Sequence, residues 1–180
     1  MLEINQREEV MTRQEAMDKA REYFDEGYAC SQSIVLTFSE AYGLDDQMAK
    51  RIASVFGGGM GRLRQKCGAV TGGFMVLGLQ FGNTEPRDMQ SKLLAYSKVR
   101  ELNQRVEEAY GTSNCFELLK RSVSDAEIRE RIHHQRVCRY IVYEVAGWVY
   151  DILRQSETAG ITGEDQTVAS SSSSFSVPGK

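Results

Sequence analysis

The stretch from Cys67 to Leu79 is apolar nearly all round, and a helix without a polar face has to lie buried among other helices. Gly68 and Gly72 fall one turn apart on one face of it, with Gly73 beside them. Each glycine costs about 1 kcal/mol of helix stability against alanine, so the compensation expected is close approach of another backbone. A fully buried strand over Phe74 to Leu79 is the competing reading. Upstream, Gly57, Gly58, Gly59 and Gly61 surround Met60 and end the preceding helix. This run lacks the Gly-Lys-Ser/Thr of a phosphate-binding loop and the strand that opens a dinucleotide fold. A tight turn that lets helices pack closely near Cys67 is the expectation.

The rest of the chain reads as helices around that segment. Pro86 and Pro178 are the only prolines in 180 residues, so long helices are permitted almost everywhere. Thr12 to Glu15 forms a capping box that opens a helix over about 13–26, ended by Gly27. Cys30 opens a second, with Ile34, Val35, Phe38 and Ala41 on its buried face. Asp45 caps a third, carrying Met48, Ile52 and Val55 at helical spacing. After Pro86, Met89, Leu93, Tyr96, Val99, Leu102, Val106 and Ala109 mark a long amphipathic helix stopped by Gly111. Ser113 or Asn114 caps a short helix from about Cys115, with Phe116, Leu118 and Leu119. Ser124 to Glu127 is a second capping box. A last helix, with a break near His133 as one option, runs to about Arg154. Val137, Ile141, Val145, Trp148 and Ile152 face inward from it.

From Ser156 the composition turns to serine and glycine, with too little apolar surface to offset chain entropy. The fold expected is therefore all-α: a compact bundle of about five to seven helices over residues 1–155, with a flexible tail over 156–180. There is no internal repeat. A net charge of −3 offers no basic excess to nucleic acid. The N-terminus lacks the pattern of a secretory signal. The longest apolar run, Phe74 to Phe81, is far short of the roughly 20 residues of a membrane span. No membrane insertion and a cytoplasmic location are expected.

Four cysteines carry the chemistry. In a reducing compartment Cys30, Cys67, Cys115 and Cys138 are more readily redox-active, metal-binding or simply buried than a permanent disulfide framework. None forms a C-x-x-C, which removes a zinc ribbon and a thioredoxin-type motif, and no C-x-x-C-H attaches haem. Core packing alone is a fair account of isolated cysteines. Position argues further. Cys30, Cys67 and Cys115 fall at or near helix starts, and Cys138 does so if its helix is broken before it. Free amides and the helix dipole there favour thiolate, the nucleophile of disulfide exchange and the species that ligates metal. Arg62, Arg64 and Lys66 precede Cys67, and Arg136 and Arg139 flank Cys138. Taken singly, each of these charges reads as a solvated surface residue.

Cys30, then Cys67-Gly68-Ala69-Val70-Thr71-Gly72, then Cys115 and Cys138 together resemble the redox-active family usually labelled C_GCAxxG_C_C. The stretch Phe56 to Arg62 is also similar to it, and the resemblance covers roughly 16–153. It implies a helical domain that gathers its four cysteines for redox or metal chemistry. A similar domain in certain cytochromes carries an iron–sulfur cluster beside the haems, a portion this chain does not have. Four thiolates suit such a cluster, or a tetrahedral zinc.

The readings left open are a thiol–disulfide pair working with an unknown redox partner protein, an iron–sulfur centre, a structural zinc module, and a helical interaction protein whose cysteines only pack. Cys67, following the glycine run, is expected to be the most sensitive of the four. His134 and Cys138 stand one turn apart, a workable ligand spacing, although adjacent His133 and His134 read better as surface residues. Tyr28, Tyr110 and Tyr140 read as core. The long helix at 88–110 could share its stripe with a second copy in a homodimer.

Overall fold

The computed structural model describes residues 11–120 and 131–161, with side chains from 136 to 155 in the second stretch. Helix α1 (Arg13–Asp25) starts at the Thr12 capping box, where the Thr12 hydroxyl accepts from the Glu15 amide and Glu15 accepts from the Thr12 amide. Helices α2 (Cys30–Phe38) and α3 (Asp46–Ser54) flank a 3₁₀ turn over Ser39–Tyr42. A single turn, α4 (Gly57–Met60), precedes α5 (Gly68–Phe81). Then follow α6 (Met89–Tyr110), the short α7 (Cys115–Lys120) and α8 (Arg131–Ile161). Among the described residues there is no β-strand, only an isolated bridge between Lys66 and Asn114. The all-α expectation holds, and 74–79 is helix.

Helix α5 is the centre of the bundle, as its lack of a polar face requires. Val70, Val76 and Leu77 have no exposed surface. On one side Gly72 lies under α2: a Cβ there would stand 2.7 Å from the Ser31 carbonyl oxygen and 3.1 Å from Ile34 Cβ. On the other side Gly73 meets Leu102 of α6 and Val149 of α8. Helix α2 is buried nearly all round, and its hydroxyls are satisfied locally. Ser33 donates to the Ala29 carbonyl and Thr37 to that of Ser33, while Ser31 donates to Ala53 and ties α2 to α3. Buried hydroxyls left unpaired would each cost about 1–3 kcal/mol.

Two sequence expectations change here. In α3 the row at helical spacing is not the buried one: Ala49 and Ala53 face the core, while Met48, Ile52 and Val55 are about half or more exposed. The tight α2–α3 seam admits methyl groups only. In α6 the first half of the stripe, Met89, Leu93 and Tyr96, is likewise exposed, and Leu102 and Val106 anchor the second half. Helix α8 is continuous from Arg131, so there is no break near His133. The Ser124 capping box, the side chains of His133 and His134, and residues 162–180 lie outside the described set. No helix among the described residues is long and apolar enough to cross a membrane.

Candidate functional site

Three of the four cysteines stand where helices begin. Cys30 is the first residue of α2, Cys67 is the N-cap of α5, and Cys115 opens α7. Cys138 does not: it lies two turns inside α8. It reaches the others because α8 packs across α5 and α2, placing Val142 and Val145 in the same core.

A clasp of backbone bonds joins the segments before Cys67 and Cys115. The Cys67 amide donates to the Ser113 carbonyl at 2.9 Å, and the Cys115 amide donates to that of Gln65 at 2.6 Å. The Phe116 amide donates to Arg64. Lys66 braces the same joint from its side chain, donating to Asn103 Oδ1 at 2.8 Å and to Ser113 Oγ, which in turn donates to Glu107. Asn114 caps α7 by accepting from the Glu117 amide.

The glycines make room for sulfur. A Cβ on Gly68 would stand 3.2 Å from Cys30 Cβ, and one on Gly59 would stand 2.5 Å from Cys115 Cβ. Gly57 lies under Ala29, where a Cβ would come within 2.6 Å. Gly58 and Gly61 are less crowded, and Gly61 would meet only the Val55 carbonyl at 3.6 Å. The turn itself is left-handed and continues past the glycines: Met60, Arg62 and Arg64 have φ of 65°, 65° and 59°. A left-handed L-residue costs about 1–2 kcal/mol. Such strain persists where the surroundings over-determine it, as at functional sites.

Arg64 gains a contact from this geometry, with its guanidinium 3.9 Å from Cys115 Sγ. Of the charges near the cysteines, Lys66 braces the clasp and Arg139 pairs with Asp25 at 2.7 Å. Arg136 is exposed. Tyr110 is half-buried and packs edge-on against Trp148 with ring centres 6.1 Å apart. Tyr140, read as core, is exposed.

The four thiols sense one another, and their environments differ. The neighbouring Cys138, then burial and the other two sulfurs, hold the Cys30 proton well above the usual thiol range. Cys138 is the reverse case: with Cys30 beside it and the charge of Arg64 near, it ionises below the usual range despite partial burial. Burial, then the charges of Cys138 and Cys115, push the Cys67 thiol up to about 12 against the pull of the Ala69 and Val70 amides. Burial also raises Cys115, offset in part by Arg64. Cys30, Cys67 and Cys115 are buried and Cys138 is only partly buried. Hence the thiol best placed to react is Cys138, backed by Cys30.

As the side chains stand, no group of three or more His, Cys, Asp or Glu among the described residues is arranged to hold a metal ion. The cysteine chemistry visible in the sequence is thus gathered by the fold into one neighbourhood, with Cys30 and Cys138 as neighbours inside it. The Asn103, Ser113 and Glu107 brace had no sequence signal, because it is assembled from two elements that meet only in space. Residues 28–152 match the family model described as "Putative redox-active protein (C_GCAxxG_C_C)". No curated protein and no solved structure matches the chain.

Proposed function

The chain belongs to the C_GCAxxG_C_C family of redox-active proteins, and from that premise we propose that it exchanges electrons through a dithiol–disulfide couple formed by Cys138 and Cys30. What supports this reading is the neighbouring placement of those two thiols, with the lowered proton affinity on the partly exposed member.

The step balances as follows. The Cys138 thiolate attacks one sulfur of a disulfide on a partner protein, forming a mixed disulfide and releasing one partner thiolate, which takes up a proton. The Cys30 thiol then loses its proton and attacks Cys138 Sγ, forming the Cys30–Cys138 disulfide and releasing the second partner thiol. Two electrons and two protons pass to the partner. The reverse sequence reduces this chain. Cys67 and Cys115 supply a buried, polarisable wall, and Arg64 favours the thiolate by its charge.

A second reading is a four-thiolate iron–sulfur centre held by Cys30, Cys67, Cys115 and Cys138. The mutual electrostatics of the four sulfurs favour it, since four thiolates are the usual ligands of such centres. When bound, a cluster of this kind supplies one-electron transfer. Against it stands the arrangement of the side chains, which as they are form no ligand set; a structural zinc meets the same objection.

Anaerobic purification followed by absorption spectroscopy, metal and sulfide analysis, and thiol titration separates these readings. The couple requires a colourless, metal-free protein in which two thiols vanish together on mild oxidation, mapped to Cys30 and Cys138 by peptide mass. Iron with sulfide selects the cluster instead, and zinc the structural site. Four inert thiols would sink every redox version.

A further inference from the structure

The turn that carries Arg64 also builds an unusual surface beside the cysteines. Met60 and Leu63 point outward from it, Leu63 being 71% exposed. The exposed row of α3 adjoins them, with Ile52 at 48% and Val55 at 64%. The two parts are joined through the backbone: the Phe56 amide donates to Ala53, the Leu63 amide to Met60, and Gly61 lies against the Val55 carbonyl. A core-seeking row on α3 has been left uncovered next to a strained turn, and both abut the segment that holds Cys115 and Cys67.

The charges of the chain segment that carries this patch are of one sign. The chain as a whole has more carboxylates than cations, with a net charge of −3. Yet from Gln47 to Thr84 it contains Lys50, Arg51, Arg62, Arg64 and Lys66 and no aspartate or glutamate. Arg51 and Arg62 are exposed, and among the described residues neither forms a salt bridge. An apolar centre with an unpaired cationic rim is the complement of an acidic protein surface.

We propose that Ile52, Val55, Met60 and Leu63, rimmed by Arg51 and Arg62, form the docking surface for an acidic dithiol protein that exchanges electrons with the cysteine centre. This rests on the dithiol reading above and adds the partner's chemistry and its place of contact. The left-handed turn holds Leu63 outward and Arg64 inward, so one segment serves both the surface and the thiols. Rim charges of this kind act mainly on the rate of encounter, and the apolar centre acts on how long the complex lasts.

The test oxidises the full-length chain and follows its reduction by two probes in parallel: a reduced thioredoxin of net negative charge, and dithiothreitol, which needs no docking. Between low and high salt, the second-order rate with thioredoxin is expected to fall about tenfold, because steered association weakens with screening. Arg62→Glu is expected to slow thioredoxin about tenfold, and Leu63→Ser a few-fold. Neither variant should change the dithiothreitol rate. Thioredoxin rates indifferent to salt and to both variants overturn the proposal, as does a wild type that reacts with dithiothreitol but not with thioredoxin. Variants that slow both probes equally also overturn it, since they disturb the centre and not a surface. A dimer in sedimentation that Leu63→Ser dissociates assigns the patch to a second copy instead. A chain whose thiols form no reducible disulfide removes the dithiol reading itself, and the docking proposal with it.

Discussion

Cys67 and Cys138 share one neighbourhood and are opposite in character. Cys67 stands at the start of α5, in the interior of the bundle, and holds its proton up to about 12. Cys138 sits on α8 at the edge of the core, only partly buried, and its proton is held less tightly, with Cys30 and Arg64 beside it. The difference shows that convergence of cysteines does not make them equivalent. Depth decides which sulfur stays protonated, and the neighbours of a less buried one decide whether it becomes the nucleophile.

The sharpest way to break that contrast is to remove one sulfur at a time. Cys138→Ser is expected to abolish the disulfide seen by peptide mass after mild oxidation, whereas Cys67→Ser keeps it. Loss in both variants would mean that the four act as one unit. This moves the weight from Cys67, where the glycine run had put it, to the pair.

Alkaline stability comes next in size. The folded state raises the Cys67 pKa above its ordinary value of 9.0, so its contribution is complete below pH 9 and is lost as pH rises towards 12. At about 1.4 kcal/mol per unit this amounts to about 4 kcal/mol at most. Denaturant titrations at pH 8 and pH 11 should show a smaller drop for Cys67→Ala than for the wild type. An equal drop would place the alkaline sensitivity elsewhere.

The seam beneath these cysteines can be probed by two glycines of the same helix. Gly72→Ala drives a methyl into the Ser31 carbonyl and Ile34 and is expected to cost about 1–3 kcal/mol in urea unfolding. Gly78→Ala meets nothing within 4 Å, and gains up to about 1 kcal/mol of helix propensity. Matching effects at the two positions would refute close packing as the role of Gly72. The smallest effect concerns the nucleophile. Alkylation of Cys138 should set in at lower pH than for an ordinary cysteine, and Arg64→Met should move that onset upward. An onset unmoved by Arg64→Met leaves the neighbouring Cys30 as the cause.

Much of this was legible in the order of residues. The capping box at Thr12, the Asp45 and Asn114 caps, Gly111 as a helix stop and the apolar girth of α5 are local signals, and each appears at its place. Gly68 and Gly72 announced close packing because glycine in a helix interior is otherwise costly. The failures have a common cause. Met48, Ile52 and Val55 have helical spacing, yet the small Ala49 and Ala53 fit the seam with α2 and turn the larger side chains out. Periodicity identifies an apolar stripe without saying whether a neighbour covers it. For Cys138, an imagined helix break was one route to the thiolate; the neighbouring Cys30 and Arg64 favour it within an unbroken helix.

Sequence alone determined that this chain forms helices, that α5 must be central, and that four cysteines are the residues to watch, since these follow from propensity, capping and side-chain character within short windows. Only the tertiary structure decided that Cys30 faces Cys138, that Arg64 turns inward through a left-handed turn, and that the row on α3 stays exposed. Those outcomes depend on which helices meet and how closely, and so on distances between residues far apart in the chain.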